Sequence, residues 1–249
     1  VANGPDDWRL AVREQIRNGA DWIKITAPYS REEVAAAVDE AHMHGIRVAA
    51  DAFGEFVEMG VEAGLDSVEH PLAISREALA LMAEKSSALV ATMTAFYNVI
   101  HHGYPPAGIP AGGFYYTMSR RFPVTHDGIM SVLRNARAEG VLAGIGTDIP
   151  FENEKRYPSD YFTELRLFEE AGYTDEEILY CATRNGGRIL GIPDKLGTIE
   201  KGKLADVLVV SGNPLENWEN LKNLKLLVAD GEIVRDRLDA KPATTGSGR

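Results

Sequence analysis

Short apolar stretches alternate with amphipathic stretches along most of this chain. The clearest apolar stretch is Val-Leu-Ala-Gly-Ile-Gly-Thr-Asp at 141–148, which is too short for an ordinary helix and ends in an acid. Similar strand-like stretches end near Thr26, Asp51, His70 and Thr92, and a helical pattern follows each. This repeat of strand and helix predicts parallel strands that are joined by right-handed crossovers.

The helical stretches carry ordinary start and stop signals. Ser30 and Glu33 form a capping-box pattern at the start of one helix, and Gly45 follows its end. The segment 97–123 is rich in Gly, Pro and Tyr, and it is predicted to be a long binding loop at the active-site face. Helices are predicted over 5–18, 30–44, 55–63, 75–85, 125–139, 160–171 and 174–190.

The character of the sequence changes after residue 195. A strand is predicted over 206–210, and two further strands flank Asp230-Gly231, which is a strong hairpin signal. We therefore predict a β/α unit over 1–195, a small β element over 196–237 and a disordered tail over 238–249. Because five βα units do not close an eight-stranded barrel, the predicted fold is α/β: the later strands of a partial (β/α)8 TIM-like barrel, with a small C-terminal β element.

Composition narrows the possible partners. Of 249 residues 45% are hydrophobic, and the net charge is −11 without a basic stripe, so we expect no nucleic-acid partner. No apolar run is long enough for a membrane span and no signal peptide is visible, which favours a cytoplasmic protein. The single cysteine, Cys181, excludes a disulfide framework. A small molecule or short peptide is the expected partner, and a homo-oligomer is left open.

Polar residues interrupt the strand-like stretches near their carboxyl ends. They are Lys24, Asp51, His70 and Asp148. In a β/α barrel, side chains at the carboxyl ends of the strands face the reaction. We therefore expect these four residues, which are far apart in sequence, to converge on one rim.

Several motifs in the same order resemble the amidohydrolase superfamily, especially its imidazolonepropionase-like and prolidase-like branch. They are Gly-Ala-Asp-Trp-Ile-Lys-Ile at 19–25, Gly-Leu-Asp-Ser-Val-Glu-His at 64–70, Gly-Thr-Asp at 146–148 and Gly-Thr-Ile-Glu-Lys-Gly-Lys-Leu-Ala-Asp at 197–206. The resemblance covers residues 3–234 and the later part of a family member, from about the fourth barrel strand. It implies a hydrolase of C–N bonds that uses metal-activated water, with one or two divalent ions, zinc being expected.

The resemblance also implies roles for three residues. Asp148 matches the last-strand aspartate, which binds metal and takes a proton from the attacking water. Lys24 matches a lysine that is carboxylated in binuclear members, since a protonated lysine has no lone pair for a metal. His70 matches a strand-six metal ligand. The alternatives are a helix-capping aspartate, a lysine paired with a core carboxylate and a core histidine.

Asp51 departs from the family pattern, which has histidine in this position. A carboxylate is still a legitimate ligand for zinc or manganese, so either Asp51 binds metal or the second metal is lost. The pair His42 and His44 has the His-x-His spacing of the family's first-strand ligands. It lies at a predicted helix end, however, where residues two apart do not share a face, and we expect it to have no metal role.

The predicted loop supplies candidate substrate contacts, namely Tyr97, His102, Tyr104 and Arg120. The alternative is a solvated loop with scattered aromatic residues. Two other functions are also open for the chain as a whole. One is a non-catalytic fragment or subunit that needs a partner piece to complete the barrel. The other is a metal-free barrel isomerase, against which the ordered set of Lys24, His70 and Asp148 argues.

Overall fold

The structure, a computed structural model, describes residues 2–102, 124–148 and 158–238. Five parallel strands lie side by side in sequence order: β1 (Trp22–Thr26), β2 (Arg47–Asp51), β3 (Ser67–Glu69), β4 (Ala88–Val90) and β5 (Ala143–Gly144). The helices are α1 (Gly4–Arg17), α2 (Arg31–Met43), α3 (Glu55–Ala63), α4 (Arg76–Lys85), α5 (Met93–His102), α6 (His126–Glu139), α7 (Ser159–Glu170), α8 (Asp175–Ala182) and α9 (Arg184–Ile189). The predicted α/β fold with consecutive parallel strands is confirmed.

Local capping explains where several helices begin. Ser30, Ser75, Thr125 and Thr174 each accept a backbone N–H bond at the start of α2, α4, α6 and α8. The predicted capping box of Ser30 and Glu33 is present in both directions. Such hydroxyl caps stabilise a helix by ~1 kcal/mol each. Because Ser and Thr are preferred at this position, the sequence indicated where these helices begin.

The two faces of the parallel sheet differ. Side chains such as Ile23, Val48 and Leu89 are buried on the face that packs against the helices. The register pairs Lys24 with Ala49 and Thr26 with Asp51, so these residues share the opposite face. That inner face is open at β1, where Lys24 and Thr26 are exposed. The hydrophobic core therefore lies between sheet and helices, and the polar side chains line the inner face.

Glycines in and after β5 are required by close packing. A Cβ atom on Gly144 would lie 2.5 Å from Ile189 Cδ1 of α9, and one on Gly146 would lie 2.5 Å from Val90 Cγ1. Asn185 of α9 also donates to the carbonyl of Ala143 at 2.9 Å. The short strand is thus fixed by α9 on one side and by β4 on the other.

Two predictions about helices were wrong. Residues 97–102 belong to α5 and not to a loop, while 103–123 lie outside the described residues. Met93, Phe96, Tyr97 and Ile100 recur at helical spacing, and no Gly or Pro interrupts them before Gly103. The predicted helix 174–190 is also broken, because Thr183 (φ −134°, ψ −85°) separates α8 from α9.

No helix in 2–102, 124–148 or 158–238 is long and apolar enough to cross a membrane.

A second, antiparallel sheet follows the β/α unit. It contains β6 (Val207–Val210), β7 (Leu224–Ala229) and β8 (Glu232–Asp236), with a 3-10 helix at Trp218–Lys222 between β6 and β7. Asp230 and Gly231 both have positive φ (49° and 79°), as the predicted tight hairpin requires. The backbone N–H of Trp218 donates to Asp175 at 2.8 Å, which ties this element to α8. The predicted domain limits remain a prediction, and 239–249 lies outside the described residues.

Candidate functional site

Three of the four polar residues at the strand ends meet in space. Lys24 Nζ lies 2.9 Å from His70 Nε2, and Asp148 Oδ2 lies 3.5 Å from His70 Nδ1. Lys24 is the middle residue of β1, and its long side chain reaches toward the carboxyl ends of the neighbouring strands. His70 directly follows β3 and Asp148 follows β5, so three strands of one sheet contribute to the cluster.

The contacts of His70 define its tautomer. A lysine ammonium only donates, so Nε2 of His70 accepts from Lys24. The proton of the neutral ring is then on Nδ1, which donates to Thr92 Oγ1 at 3.0 Å. Burial lowers the pKa of His70; the Asp148 carboxylate opposes this and the Lys24 cation adds to it. His70 is therefore a neutral imidazole whose Nε2 lone pair faces Lys24.

The same region contains strained backbone. His70, Thr92 and Asp148 have φ values of 50°, 52° and 45°, in a range that favours glycine. Each costs ~1–3 kcal/mol and persists only where the surroundings enforce it. All three lie just beyond the carboxyl ends of neighbouring strands, and Thr92 and Asp148 both contact the ring of His70. Three of the six non-glycine residues with positive φ in the described ranges thus lie at this cluster.

Glu69 is a member of the site that was not predicted. It pairs in register with Asp51 and therefore faces the same side of the sheet. Its Oε1 accepts from Ser67 Oγ at 2.7 Å. Burial raises the pKa of Glu69; Lys24 lowers it, and Asp148 and Asp51 raise it further. The sequence did contain a pattern that could have indicated Glu69, because polar Ser67 and Glu69 alternate with apolar Val68 and so share one face of the strand.

The described residues do not complete a metal centre by themselves. Within 2–102, 124–148 and 158–238 no group of three or more His, Cys, Asp or Glu side chains could hold a metal ion. His70 and Asp148 supply one imidazole and one carboxylate, and Lys24 can contribute only if its ammonium is modified. Asp51 lies at the end of β2 on the same face, and its role as a ligand stays a prediction.

The His42 and His44 pair lies away from this cluster. It sits at the end of α2, just before the amino end of β2. His42 Nε2 is 2.8 Å from Asp66, and His44 Nε2 is 3.3 Å from Glu40. Both side chains have carboxylate partners at the opposite end of the strands from His70, and their lack of a metal role stays a prediction.

The predicted substrate contacts are only partly within the described residues. The ring of Tyr97 lies 4.1 Å from that of His101, and Arg166 of α7 lies 4.9 Å from the ring centroid of Tyr97. These contacts place Tyr97 between α5 and α7, so they do not join it to the cluster around His70. The side chain of His102 and the whole of Tyr104 and Arg120 lie outside the described residues.

The sequence model of the Amidohydrolase family matches residues 2–234. The chain belongs to this family. A crystal structure of a Xaa-Pro dipeptidase with bound methionine is 31% identical with a TM-score of 0.81, covering 94% of this chain and 59% of that one. A prolidase complexed with N-methylphosphonate-L-proline is 28% identical with a TM-score of 0.82, covering 95% and 60%. These neighbours confirm the predicted TIM-barrel fold and the prolidase-like resemblance.

Another relative is named neither as a dipeptidase nor as a prolidase. The ochratoxinase of Aspergillus niger is 28% identical over 233 residues, which is 87% of this chain and 46% of its own length. The amidohydrolase chain thus spans about half to three-fifths of these relatives. Similarity at this level supports a shared family and fold.

Proposed function

We propose that this amidohydrolase is a hydrolase of C–N bonds in amides, peptides or cyclic amides. One observation carries the proposal, namely the cluster of Lys24, His70 and Asp148, which come from three strands of one parallel sheet and meet near its carboxyl edge. Family membership supports the reaction class, and the cluster supplies groups suited to it. The metal-free isomerase that the sequence left open is not supported by the hydrolase names of the relatives.

The side chains of the cluster have complementary tasks. The side chain of Asp148 is 57% exposed, so its carboxylate can take a proton from a water molecule that attacks a carbonyl carbon. The side chain of His70 is only 14% exposed and neutral, which suits it to hold a fixed position rather than to shuttle protons. Lys24 Nζ, 2.9 Å from His70 Nε2, completes the cluster, and it can serve as a metal ligand only after its amine is carboxylated.

We further propose that the reaction depends on a divalent metal, with zinc the expected ion. When bound, such an ion polarises a carbonyl and makes water more acidic. His70 and Asp148 would be among its ligands, together with Asp51 and a carboxylated Lys24. The ligand set needs a further donor besides the described His70 and Asp148, because those two alone are fewer than a metal centre requires.

Dipeptides with a C-terminal proline are the substrate class that we propose first. The support is the naming of two similar structures, a Xaa-Pro dipeptidase and a prolidase with a proline-containing ligand. A cyclic amide and a small ester represent the other bonds that related hydrolases cleave. The chemistry is shared among these substrates, since each presents a carbonyl to a water nucleophile.

The test is an assay of the intact gene product, including any residues outside these 249, with added zinc, manganese or cobalt. The probes are methionylproline, a six-membered lactam and p-nitrophenyl acetate. We expect hydrolysis of at least one C–N probe and a loss of about a thousandfold or more in Asp148→Asn, as removal of a catalytic proton acceptor typically gives. Asp127→Asn, an exposed acid on α6, is the matched control. Cleavage of the ester alone would contradict the proposed bond class.

An incomplete barrel is the second candidate, and one observation favours it. β1 is at the end of the sheet order, so its outer edge has no strand partner within the described ranges, and Lys24 on its inner face is exposed. Open edges of this kind are normally paired or covered. We expect the 249-residue chain alone to bind zinc weakly and to show little turnover. Full activity of this chain by itself would show that no further strands are needed.

A further inference from the structure

Glu164 is a fully buried acid that the proposed chemistry does not use. It lies on α7 and is 0% exposed. Its Oε1 accepts the backbone N–H of Met93 at 3.0 Å, and its Oε2 accepts that of Thr94 at 2.6 Å. Thr94 Oγ1 in turn donates to the carbonyl of Asp160, also on α7, at 3.2 Å. A carboxylate from a distant helix therefore caps the first turn of α5.

This cap acts on the residue that holds His70. The N–H of Met93 belongs to the peptide group between residues 92 and 93. The ψ angle of Thr92 sets the orientation of this group. The carbonyl of the same peptide accepts the N–H of Ala95 at 3.1 Å. Both ends of this peptide group are thus fixed, one by Glu164 and one by the first turn of α5.

Thr92 needs such support. It is a β-branched residue at φ 52°, where steric repulsion makes the conformation a genuine outlier. Without an acceptor for the Met93 N–H, the 92–93 peptide is held less firmly, so Thr92 can relax from this strained φ to a common one. A change of φ at Thr92 moves its side chain, including the hydroxyl. The hydroxyl lies 3.0 Å from Nδ1 of His70, so the loss would reach the imidazole directly.

We propose that Glu164 is a positioning residue, which holds Thr92 so that its hydroxyl accepts from His70 Nδ1 and keeps the ring in the Nδ1–H tautomer, with the Nε2 lone pair toward Lys24. The functional importance of this positioning role rests on the proposed hydrolytic function. The contacts themselves involve no substrate and no metal. A direct observation of the imidazole therefore tests the positioning role even if the proposed function is wrong.

The experiment is nitrogen NMR of the histidine side chains at about pH 8, which is above the ordinary histidine pKa of about 6.5. The chain has 6 histidines, and His70→Asn identifies the signals of His70. In Glu164→Gln one acceptor becomes an amide donor that faces a backbone N–H. We expect the two nitrogen shifts of His70 to move toward each other, as the tautomers mix. Thr92→Val should give the same change, and Thr92→Ser should keep the wild-type shifts.

Leu165→Ala is the matched structural control. Leu165 is the neighbouring residue on α7, also 0% exposed, and its removal leaves a cavity. We expect this variant to lower the melting temperature at least as much as Glu164→Gln, while the His70 shifts stay as in wild type. If Glu164→Gln does not fold, Glu164→Asp replaces it, since the shorter acid keeps the charge and loses the reach.

Three outcomes would overturn the proposal. The first is an unchanged His70 in the Glu164 variant together with a changed His70 in Thr92→Val. The second is the same shift in Leu165→Ala as in Glu164→Gln, because general loosening of α7 would then explain it. An unchanged His70 in Thr92→Val would also exclude the hydroxyl as the link.

Discussion

The pH dependence of stability should carry a clear signature of Glu164. Burial raises the pKa of this carboxyl from 4.5 to about 7, against the opposing hydrogen bonds from Thr94 and Met93. A raised pKa in the folded state means that folding favours the protonated acid. The contribution is therefore complete below about pH 4.5 and is lost progressively as the pH rises to about 7. At ~1.4 kcal/mol per pKa unit, the change over this window is about 3 kcal/mol.

Urea unfolding of wild type and Glu164→Gln across this window measures the effect. Glutamine does not titrate, so the difference in free energy of unfolding between the two proteins isolates the ionisation of Glu164. We expect the advantage of wild type to shrink by about 3 kcal/mol between about pH 4.5 and pH 7.5. Leu165→Ala should instead differ from wild type by a constant amount, because it removes no ionisable group.

A difference between wild type and Glu164→Gln that does not vary with pH would contradict this prediction. A difference that grows as the pH rises would also refute it, because the ionised form would then be the one that folding favours. The first result would mean that the two backbone N–H bonds balance the cost of burying the charge, and the second that they outweigh it.

Two further predictions concern packing and the metal ligands. Gly144→Ala should lower the free energy of unfolding by ~1–3 kcal/mol, because its Cβ would overlap Ile189 Cδ1, and Ile189→Ala should be less destabilising in that background than in wild type. Denaturant unfolding of the two single variants and the double variant checks this, and strictly additive effects would contradict it. Asp51→His, in the intact gene product, should tighten zinc binding by about tenfold, equivalent to ~1.4 kcal/mol, because it restores the family's ligand type. Zinc content after dialysis measures it, and unchanged or weaker binding would show a site tuned to the carboxylate.

The parts of the fold that depend on residues close together in the sequence were predictable. The Asp230-Gly231 hairpin and the Ser30 capping box are set by local backbone preferences, and both are present. Helix α5 was missed at residues 97–102 because the Gly- and Pro-rich part that follows suggested a loop. Its first turn is capped by Glu164, which is 70 residues away from Thr94, and no local pattern reveals such a partner.

In the candidate site, too, some residues were predictable from sequence and others were not. The cluster of Lys24, His70 and Asp148 was predictable because parallel strands bring their carboxyl ends to one edge. Glu69 and Thr92 were missed because their importance depends on strand register and on a strained φ angle, which only the folded chain shows. The alternating polarity of β3 was the one sequence signal that could have indicated Glu69.

The most direct test of a hydrolytic site at these strand ends is the origin of the oxygen in the product. The intact gene product would be incubated with zinc and methionylproline in oxygen-18-labelled water, and the released methionine examined by mass spectrometry. We predict one labelled oxygen in its carboxyl group with wild type, and labelling no faster than the uncatalysed background with Asp148→Asn. Labelling at the same rate in the Asp148 variant, or no labelled product from wild type with any of the C–N probes, would contradict the assignment.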